Sequence, residues 1–529
     1  MPRGLVKKRP AAAMSSIVPV QYEPEPWDDS GPHATIPWAC PNGPRCEQVM
    51  WADHLVNMLV GGGYLPRHVQ GGSTQPARVQ IWSDCSGINS EMFALGNLND
   101  AFDRCLNVKV DWNLYFCCEA DVASLGFAER NHKPLHTSID MNQRSLGAPD
   151  TPAQFWCETC KLNHDLPTDG IDLYVGTYPC SPWSRRGKRT GFGHPAAELF
   201  RIGVSTIRHM QPAAWIMELG EVPDEHAVDH IQHEITQGIN MQDRQPYVVQ
   251  ALRNLSPLAS GFPMRRTRLF FVGWRGDMGV VSDLIKPLKC LIDHPLPLQH
   301  SYFGFLKLHR SVDLSRVGQY PTDKELAQLA AVTGDNIACC CSVAPMVVCR
   351  VHICKCGNCG EDGLHCAWRM RMVQHMTAKQ WHVPESDKLR YVQVLEMNGI
   401  VCPAQARCRT WLNILAVHPD AQPLNDTLMI ADISQNPGFG SVLFDGVVPT
   451  LTTTSALHCL QVGHALNTYQ LSSLMGLSLE GVDLRGVQEA WMRRRLGLGV
   501  HIASFGLVLL AVMATPLDAI WRGQGATYD

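Results

Sequence analysis

The residues best suited to chemistry lie in GTYPCSPWSRRGKRTGFG, residues 176–193. This segment follows IDLYV, residues 171–175, an apolar run rich in branched side chains that predicts a buried strand. Cys180 therefore stands at the carboxyl end of a strand, the edge at which open α/β sheets bind ligands. Because the thiolate is the nucleophilic form of cysteine and nearby cations favour it, the pattern predicts a reactive thiol. A buried structural cysteine is the alternative.

A cationic loop follows this thiol. Its polar and charged residues are Ser184, Arg185, Arg186, Lys188 and Arg189. Gly187, Gly191 and Gly193 stand among them and make the loop flexible. The chain of 529 residues has a net charge of −4, so it has no global basic field that would attract nucleic acid. Any contact with nucleic acid must therefore come from a local patch such as this loop.

Further apolar runs predict the sheet that carries the loop. Strands are predicted at VQIW (79–82), LYFCC (114–118), WIM (215–217) and LFFVGW (269–274). Helices are predicted from Glu91 onward and over Glu198–Met210. This alternation of strands and helices predicts an α/β fold.

Two strand ends predict cofactor binding. Ser86, Gly87 and Ile88 lie in the turn after the first strand, where small residues let the backbone approach a nucleotide-type cofactor. Glu119 ends the second strand, where an acidic residue commonly accepts hydrogen bonds from ribose hydroxyls. A surface glutamate is the alternative at that position.

Glu218 ends the WIM strand, at the sheet edge that also holds Cys180. A partly desolvated carboxyl there has a raised pKa and can serve as an acid, although Glu221 competes for this role. Arg266 and Arg268 precede the next strand, and their forked guanidinium groups suit a base carbonyl and a phosphate. A solvated loop is the alternative for the arginines.

The motif P-C-x-x-x-S-x-x-G after a strand resembles the nucleophile loop of the carbon-5 cytosine-specific DNA methyltransferase family. Pro179, Cys180, Ser184 and Gly187 occupy its fixed positions, whereas Ser181 replaces the usual Gln. The cofactor loop, the acidic strand ends, the arginine pair and a carboxy-terminal return follow in the family's order. The resemblance covers more than half of the chain.

This resemblance implies a Rossmann-like, S-adenosylmethionine-dependent methyltransferase sheet with an inserted, smaller target-recognition domain. It implies transfer of a methyl group to carbon-5 of a cytosine flipped out of duplex DNA, through a covalent bond to Cys180. The implied catalytic residues are Cys180, Glu218, Arg266 and Arg268. The implied cofactor-binding residues are Ser86, Gly87, Ile88, Glu119, Asp140, Pro179 and Gly497. The cationic loop is the expected contact with nucleic acid.

Several positions depart from the family's pattern. They are Ser83, Cys85, Asn89 and Ser90 in the cofactor loop, and Leu219, Met264 and Leu498 elsewhere. Two alternatives stay open. These departures motivate one of them, a binding or regulatory protein with a decayed catalytic fold. The other is the same chemistry on RNA, as in the relative that modifies transfer RNA.

The order of these elements predicts five segments. They are an N-terminal extension (1–75), the first part of the catalytic domain (76–278), the target-recognition domain (279–444), the catalytic return (445–515) and a tail (516–529). One helix is predicted in the extension, over Glu47–Val60, and one terminal element over Arg495–Val512.

The 21 cysteines, with no signal peptide, predict a reducing intracellular compartment and thiols that are free, catalytic or metal-bound. A zinc site, a second expected cofactor, is predicted at Cys354, Cys356, Cys359 and Cys366. Scattered reduced thiols are the alternative. Zinc-like spacing without an evident fourth ligand also occurs at Cys157, Cys160 and His164, where a disordered insertion is the alternative.

Two remaining segments concern the location of the protein in the cell. Lys7–Pro10 (KKRP) fits a nuclear address, with a solvated tail as the alternative. Gly497–Pro516 is apolar, but its dense part, 503–515, is shorter than the roughly 20 residues that a bilayer requires. A buried terminal helix and no membrane partner are therefore predicted. The oligomeric state is left open.

Overall fold

The structure is a computed structural model of the chain, which divides into two compact units, Met1–Pro37 and Trp38–Asp529. All described residues lie in the second unit. They are 46–65, 68–69, 77–146, 152–278 (except 185, 186, 188, 223 and 241–245), 394–395, 412, 430–434, 447–523 (except 461–462) and 526–527. The predicted target-recognition domain lies outside the described residues except for 394–395, 412 and 430–434.

The described strands and helices follow the predicted alternation. The strands are β1 (His68–Val69), β2 (Ala77–Asp84), β3 (Val110–Cys118), β4 (His136–Ser138), β5 (Gln154–Cys157), β6 (Leu162–Asp165), β7 (Leu173–Thr177), β8 (Ala214–Gly220), β9 (Tyr247–Leu255), β10 (Arg268–Arg275), β11 (Ile430–Asp432), β12 (Leu457–Cys459), β13 (His464–Ala465) and β14 (Ala526–Thr527). The helices are α1 (Cys46–Gly61), α2 (Ser90–Leu106), α3 (Val122–His132), α4 (Ala197–Met210), α5 (Glu225–Ile239), α6 (Thr468–Leu474), α7 (Glu489–Leu498) and α8 (Ile502–Gly523).

Seven of these strands form the central sheet, in the order β4-β3-β2-β7-β8-β10-β9. Neighbouring strands are parallel except on either side of β10, which runs antiparallel to both β8 and β9. The chain leaves β2 toward β3 and β4 and later returns to the other side of β2 with β7. Ligands bind at such a reversal of strand order. The predicted Rossmann-like α/β fold is confirmed.

Helices cover both faces of this sheet, which explains why its central strands are apolar throughout. Every residue of β8, AWIMELG, is buried. Trp215, Met217 and Leu219 share one core cluster with residues of α4 and α5. Because successive side chains of a strand point to opposite faces, the intervening residues are buried on the other face. There α8 packs against β8 and β10.

The carboxy-terminal return differs from the single predicted element. It consists of two helices, α7 and α8, separated by Gly499–His501. The second runs to Gly523, beyond the predicted start of the tail at residue 516. From Ile502 to Ala514 every residue is buried, as expected of a helix that is apolar on all sides and lies in a core.

Part of the predicted N-terminal extension packs on helices that cover the central sheet. The predicted helix is present as α1, and it contacts α2 and α8. A Cβ added at Gly506 of α8 would lie 2.2 Å from the Trp51 ring of α1, so the two helices are in direct contact at this glycine. The domain boundary predicted at residue 75 therefore separates α1 from helices against which it is packed.

Among the described residues, no single helix is long and apolar enough to cross a membrane. Glu489–Leu498 and Ile502–Ala514 together reach that length and composition, but they are bent by 46° at the break between them.

Candidate active site

A cavity of about 420 Å³ lies at the carboxyl ends of the parallel strands. Its walls come from the turns after β2, β3, β4 and β7, from the end of β8, and from the connection between α7 and α8. The predicted site residues that line it are Ser86, Gly87, Ile88, Glu119, Asp140, Pro179, Cys180, Glu218 and Arg268. Strand ends far apart in the sequence thus place these side chains around one space.

The turn after β2 brings backbone close to this cavity. Cys85, Gly87 and Asn89 all have positive φ, of 55°, 57° and 54°. This left-handed backbone is costly for residues other than glycine, so the surroundings must impose it. The Thr177 hydroxyl of β7 donates to the Cys85 carbonyl oxygen at 2.6 Å and thereby ties this turn to the strand that precedes Cys180.

Glu119 is held at the cavity by two backbone amides. Its Oε2 accepts from the Gly87 N–H at 2.8 Å, and its Oε1 accepts from the Asp121 N–H at 2.9 Å. Its own N–H donates to the Ser138 carbonyl at the end of β4, 3.0 Å away. The carboxylate therefore has a fixed orientation, with lone pairs still available to a ligand. Asp140, two residues beyond β4, lines the same wall.

A fully buried ion pair supports this edge of the sheet. Arg144 donates to the two carboxylate oxygens of Asp84 at 2.7 and 2.9 Å, and the Tyr174 hydroxyl donates to the same carboxylate at 2.7 Å. Arg144 also lies 5.2 Å from the Trp82 ring and donates to the Thr206 hydroxyl. Asp84 ends β2, so this network fixes the start of the turn that follows this strand. Neither Asp84 nor Arg144 was predicted from the sequence.

The nucleophile candidate, Cys180, lies in a tight turn after β7 and is exposed to solvent. Its carbonyl oxygen accepts from the Trp183 and Ser184 N–H groups at 3.1 and 2.9 Å. A Cβ added at Gly220, the last residue of β8, would lie 2.6 Å from the Cβ of Cys180. Only a glycine at that position leaves room for the Cys180 turn.

Glu218 and Arg268 form an ion pair at the same cavity as this thiol, with Arg268 Nε 2.8 Å from Glu218 Oε1. Glu218 is 6 % exposed, and it faces Thr177 across the parallel β7–β8 pair. Burial raises the pKa of the Glu218 carboxyl, and the guanidinium groups of Arg268 and Arg266 only partly oppose that rise. Glu218 can therefore hold a proton at a higher pH than an ordinary glutamate.

Arg266 has a different position from the one predicted. It is 1 % exposed and does not line the cavity. Its guanidinium donates to the carbonyl oxygens of Leu451 at 2.6 Å and Gly497 at 3.0 Å, and also to that of Gly499. Arg266 thus joins β10 to the carboxy-terminal return.

Gly497 likewise does not line the cavity, but the next residues of the return do. Leu498, Gly499 and Val500 line it, and so does Arg495 of α7. Arg495 pairs with Asp121, the residue that caps α3. The run of three arginines before Gly497 was the available sequence signal for Arg495, but nothing in it distinguished the third arginine from its neighbours.

Glu91 is a further cavity residue that sequence reasoning missed. It is fully buried in the first turn of α2, and Ser83 and Asn89 donate to its Oε1. Its Oε2 is buried and has no hydrogen-bond partner among the described residues. Burial raises the pKa of this carboxyl, against the effect of those hydrogen bonds. Acidic residues are common in the first turn of helices, so nothing in the sequence singled out Glu91.

The cationic loop is only partly described, because Arg185, Arg186 and Lys188 lie outside the described residues. Its two ends are anchored by Trp183 and Phe192, whose rings lie 5.8 Å apart and both contact Phe200 of α4. Between these anchors, the Gly187 N–H donates to the Ser184 carbonyl at 3.0 Å. Ser184 and Arg189, which follow Cys180 by four and nine residues, are the described members of the predicted nucleic-acid contact.

The predicted zinc ligands Cys354, Cys356, Cys359 and Cys366 also lie outside the described residues.

Over part of its length, the chain is similar to the carbon-5 cytosine-specific DNA methyltransferases. Residues 156–304, which contain Cys180, Glu218 and the arginine pair, match the sequence model of the C-5 cytosine-specific DNA methylase family. The resemblance inferred from the sequence is therefore confirmed.

Individual relatives agree with this match. The chain is 26% identical over 154 residues to the Type II methyltransferase M.HgiCII of Herpetosiphon aurantiacus, covering 25% of this chain and 33% of that protein. It is 28% identical over 148 residues to M.AquIA of a Picosynechococcus species, covering 25% of this chain and 58% of that protein. The chain thus spans from a third to somewhat more than half of the length of these curated relatives. Among solved structures, it is similar to the Dnmt2 methyltransferase of S. pombe, with 12% identity, a TM-score of 0.39, and coverage of 83% of this chain and 100% of that one.

Proposed function

We propose that this protein transfers a methyl group from S-adenosylmethionine to carbon-5 of cytosine in DNA. One observation carries the proposal. An exposed thiol, a buried carboxyl paired with an arginine, and a carboxylate fixed by backbone amides all line the same cavity. These are a nucleophile, an acid and a ribose acceptor, which are the groups that this reaction requires.

The Cys180 thiolate is the proposed nucleophile. Carbon-5 of cytosine is a weak nucleophile until a bond forms from sulfur to carbon-6, which converts the ring into an electron-rich enamine. After methylation, loss of the carbon-5 proton and cleavage of the sulfur–carbon bond regenerate the thiolate. The exposed position of Cys180 on its turn allows a base to approach it from solvent.

Glu218 is proposed to hydrogen-bond to the cytosine ring. In its protonated form it can donate a hydrogen bond to ring nitrogen 3 and thereby stabilise the charge that develops when sulfur attacks. Arg268 holds that carboxyl in place at 2.8 Å and is itself at the cavity wall, where it can reach the base carbonyl. Arg266 acts indirectly in this proposal, because it holds the return segment rather than the substrate.

The cavity residues fit the proposed cofactor. At Gly87 the positive φ and the absence of a side chain leave the turn open, and the amide-bound Glu119 offers its free lone pairs to ribose hydroxyls. Asp140 and Pro179 complete the wall that the family resemblance assigns to the cofactor. S-adenosylmethionine supplies an electrophilic methyl group when it is bound. Glu119 and the α2 amino terminus orient it, and the connection between α7 and α8 closes the cavity on one side.

DNA is the proposed substrate. A cytosine within a duplex must leave the base stack to reach Cys180, at a cost of a few kcal/mol. The cationic loop that starts at Ser184 is the proposed element that holds the base out. Cofactor binding without transfer is the competing interpretation that the departures at Asn89, Leu219, Met264 and Leu498 motivate. Methyl transfer to RNA is the other alternative.

An intracellular location accompanies this proposal, since the eight cysteines named among the described residues are all free. The nuclear address stays a prediction. Residues 7–10 lie outside the described residues, and the curated relatives come from bacteria.

A trapping experiment tests the proposal. The protein is mixed with S-adenosylmethionine and duplex DNA that contains 5-fluorocytosine in varied contexts, and the products are separated on a denaturing gel. Fluorine replaces the proton that must leave carbon-5, so a working enzyme stays covalently attached. We expect a shifted band that disappears in Cys180→Ser and persists in Cys105→Ser, a change at a thiol outside the cavity.

Other outcomes separate the alternatives. A band with 5-fluorocytosine RNA alone would identify an RNA methyltransferase. Binding of S-adenosylmethionine with no band on either polymer would contradict the enzyme proposal and favour a regulatory protein.

A further inference from the structure

Four metal-binding side chains meet outside the active site. Cys157 ends β5, Cys160 lies in the turn that follows, His164 lies on β6, and His136 begins the sheet strand β4. Their ligand atoms all lie within 4.8 Å of one another. The sequence showed three of these residues but not the fourth, because His136 is 21 residues from Cys157 and comes from a different strand.

The distances fit a tetrahedral metal. His136 Nδ1 lies 3.5 Å from the Sγ of Cys157 and 3.7 Å from the Sγ of Cys160. Zinc binds thiolate sulfur at about 2.3 Å and imidazole nitrogen at about 2.0–2.1 Å, so tetrahedral angles place sulfur and nitrogen about 3.6 Å apart. Both distances therefore match edges of such a tetrahedron.

One imidazole nitrogen in this cluster lacks the hydrogen bond that a buried polar atom normally makes. His164 Nε2 is buried and has no hydrogen-bond partner in the part of the chain that the structure describes. The His164 ring lies 4.4 Å from the His136 ring and 5.5 Å from the Phe155 ring, measured between centroids. An unpaired polar atom among aromatic rings is costly, and a bound cation would remove that cost.

The turn between β5 and β6 is arranged to favour a thiolate. The Cys160 N–H donates to the Cys157 sulfur at 3.4 Å, and the Lys161 N–H donates to the Cys157 carbonyl at 2.8 Å. Lys161 has a φ of 58°, a conformation that a tight turn must impose on it. Such N–H donation stabilises negative charge on sulfur, which a metal-bound cysteine carries.

The turn is also bound directly to the central sheet. The Glu158 N–H donates to the Thr137 carbonyl at 2.7 Å, and the hydroxyls of Thr137 and Thr159 are 2.8 Å apart. Thr137 is the middle residue of β4, and Asp140 of the cavity wall follows three residues later. A metal here would bridge the β5–β6 hairpin and the edge strand that leads into the cavity.

We propose that His136, Cys157, Cys160 and His164 bind one structural Zn²⁺ ion. Two thiolates and two imidazoles form a complete tetrahedral set, so no coordination position is left for a substrate. The ion would fasten the hairpin to β4 and thereby fix the wall that carries Asp140. Its four ligands are different residues from the cysteines predicted as zinc ligands between 354 and 366, and the proposal does not depend on methyl transfer.

Metal analysis of the full chain tests the site. Wild-type protein, Cys160→Ser and the control Cys105→Ser are purified identically under reducing conditions, and the zinc content of each is measured by mass spectrometry. Comparing variants removes the contribution of any other zinc site. We expect Cys160→Ser to lose about one equivalent of zinc and Cys105→Ser to lose none. Equal zinc in all three proteins, or a Cys157–Cys160 disulfide in the purified wild type, would overturn the proposal.

A second variant decides the question if Cys160→Ser does not fold. In His164→Cys the set becomes three thiolates and one imidazole, which still suits a tetrahedral metal. After replacement of zinc by cobalt(II), we expect this variant to retain as much cobalt as the wild type. Its sulfur-to-cobalt charge-transfer absorption should be stronger, since a third thiolate binds. An unchanged spectrum would show that residue 164 is not a ligand and would contradict the site.

Discussion

Substitution of Gly220 by alanine is expected to slow attack by Cys180 without unfolding the protein. An alanine Cβ would lie 2.6 Å from the Cys180 Cβ, whereas carbon atoms in contact lie about 3.5–4.0 Å apart. The Cβ position is fixed by the backbone, so rotation of the Cys180 side chain cannot relieve the overlap. The Cys180 turn must therefore move by about 1 Å.

The expected loss of reaction rate follows from that displacement. A misplacement of about 1 Å lowers the rate of a positioned reaction by about 10²-fold, or about 2.7 kcal/mol in the barrier. The backbone of Gly220 does not have a positive φ, so alanine is conformationally allowed there and the effect is steric. We expect the melting temperature to change little, because the reduced entropy of the unfolded chain offsets part of the strain.

The assay is the rate of adduct formation with 5-fluorocytosine DNA at saturating S-adenosylmethionine. Gly96→Ala is the matched control, because a Cβ added to this exposed glycine in α2 meets no atom within 4 Å. The control should react at the wild-type rate. If Gly220→Ala also reacts at the wild-type rate while folded, then this close contact does not position the nucleophile, and the reasoning is refuted.

Three further predictions follow from other contacts. Because burial raises the pKa of Glu218, the rate of adduct formation should decline as the pH rises through that raised pKa. Glu218→Gln should lose this alkaline decline and react about 10²–10⁴-fold more slowly. A pH–rate profile of both proteins checks this prediction. Arg144→Met leaves the buried Asp84 carboxylate without its cation and should reduce the free energy of unfolding by about 3–5 kcal/mol, measured by urea titration. A loss below about 1 kcal/mol would contradict a stabilising role for this ion pair. Gly506→Ala should separate α1 from α8 at Trp51 and cost about 1–3 kcal/mol, measured in the same way; no loss would indicate that α1 is not packed as described.

The sequence predicted the elements that hold long apolar runs. The strand predicted at 171–175 is β7, the one at 269–274 is β10, and the helix predicted over 198–210 is α4. Such runs are readable because a strand buried on both faces is apolar at nearly every position. The sequence could not show that β10 runs antiparallel to its neighbours, since strand direction depends on how the chain returns to the sheet.

Short elements and tertiary partners were missed for physical reasons. The strand β4 has only three residues, too few for a recognisable pattern, and His136 therefore went unnoticed. Arg266 and Arg268 look alike in the sequence, yet one is buried against three carbonyl groups and the other lies at the cavity. That difference is determined by residues 185 to 233 positions away, which local sequence cannot reveal.

The partners of Arg266 also have a consequence for synthesis of the chain. Their carbonyl groups come from residues 185, 231 and 233 positions later, and Phe505 and Val512 of α8 contact Phe270 and Trp274 of β10. At about 5–20 residues per second, a ribosome needs about 10 to 50 s to make the last of the Arg266 partners. During that interval one sheet face lacks its covering helix, and a buried cation lacks its acceptors. We therefore expect the nascent chain to depend on chaperones until the final helix leaves the ribosome.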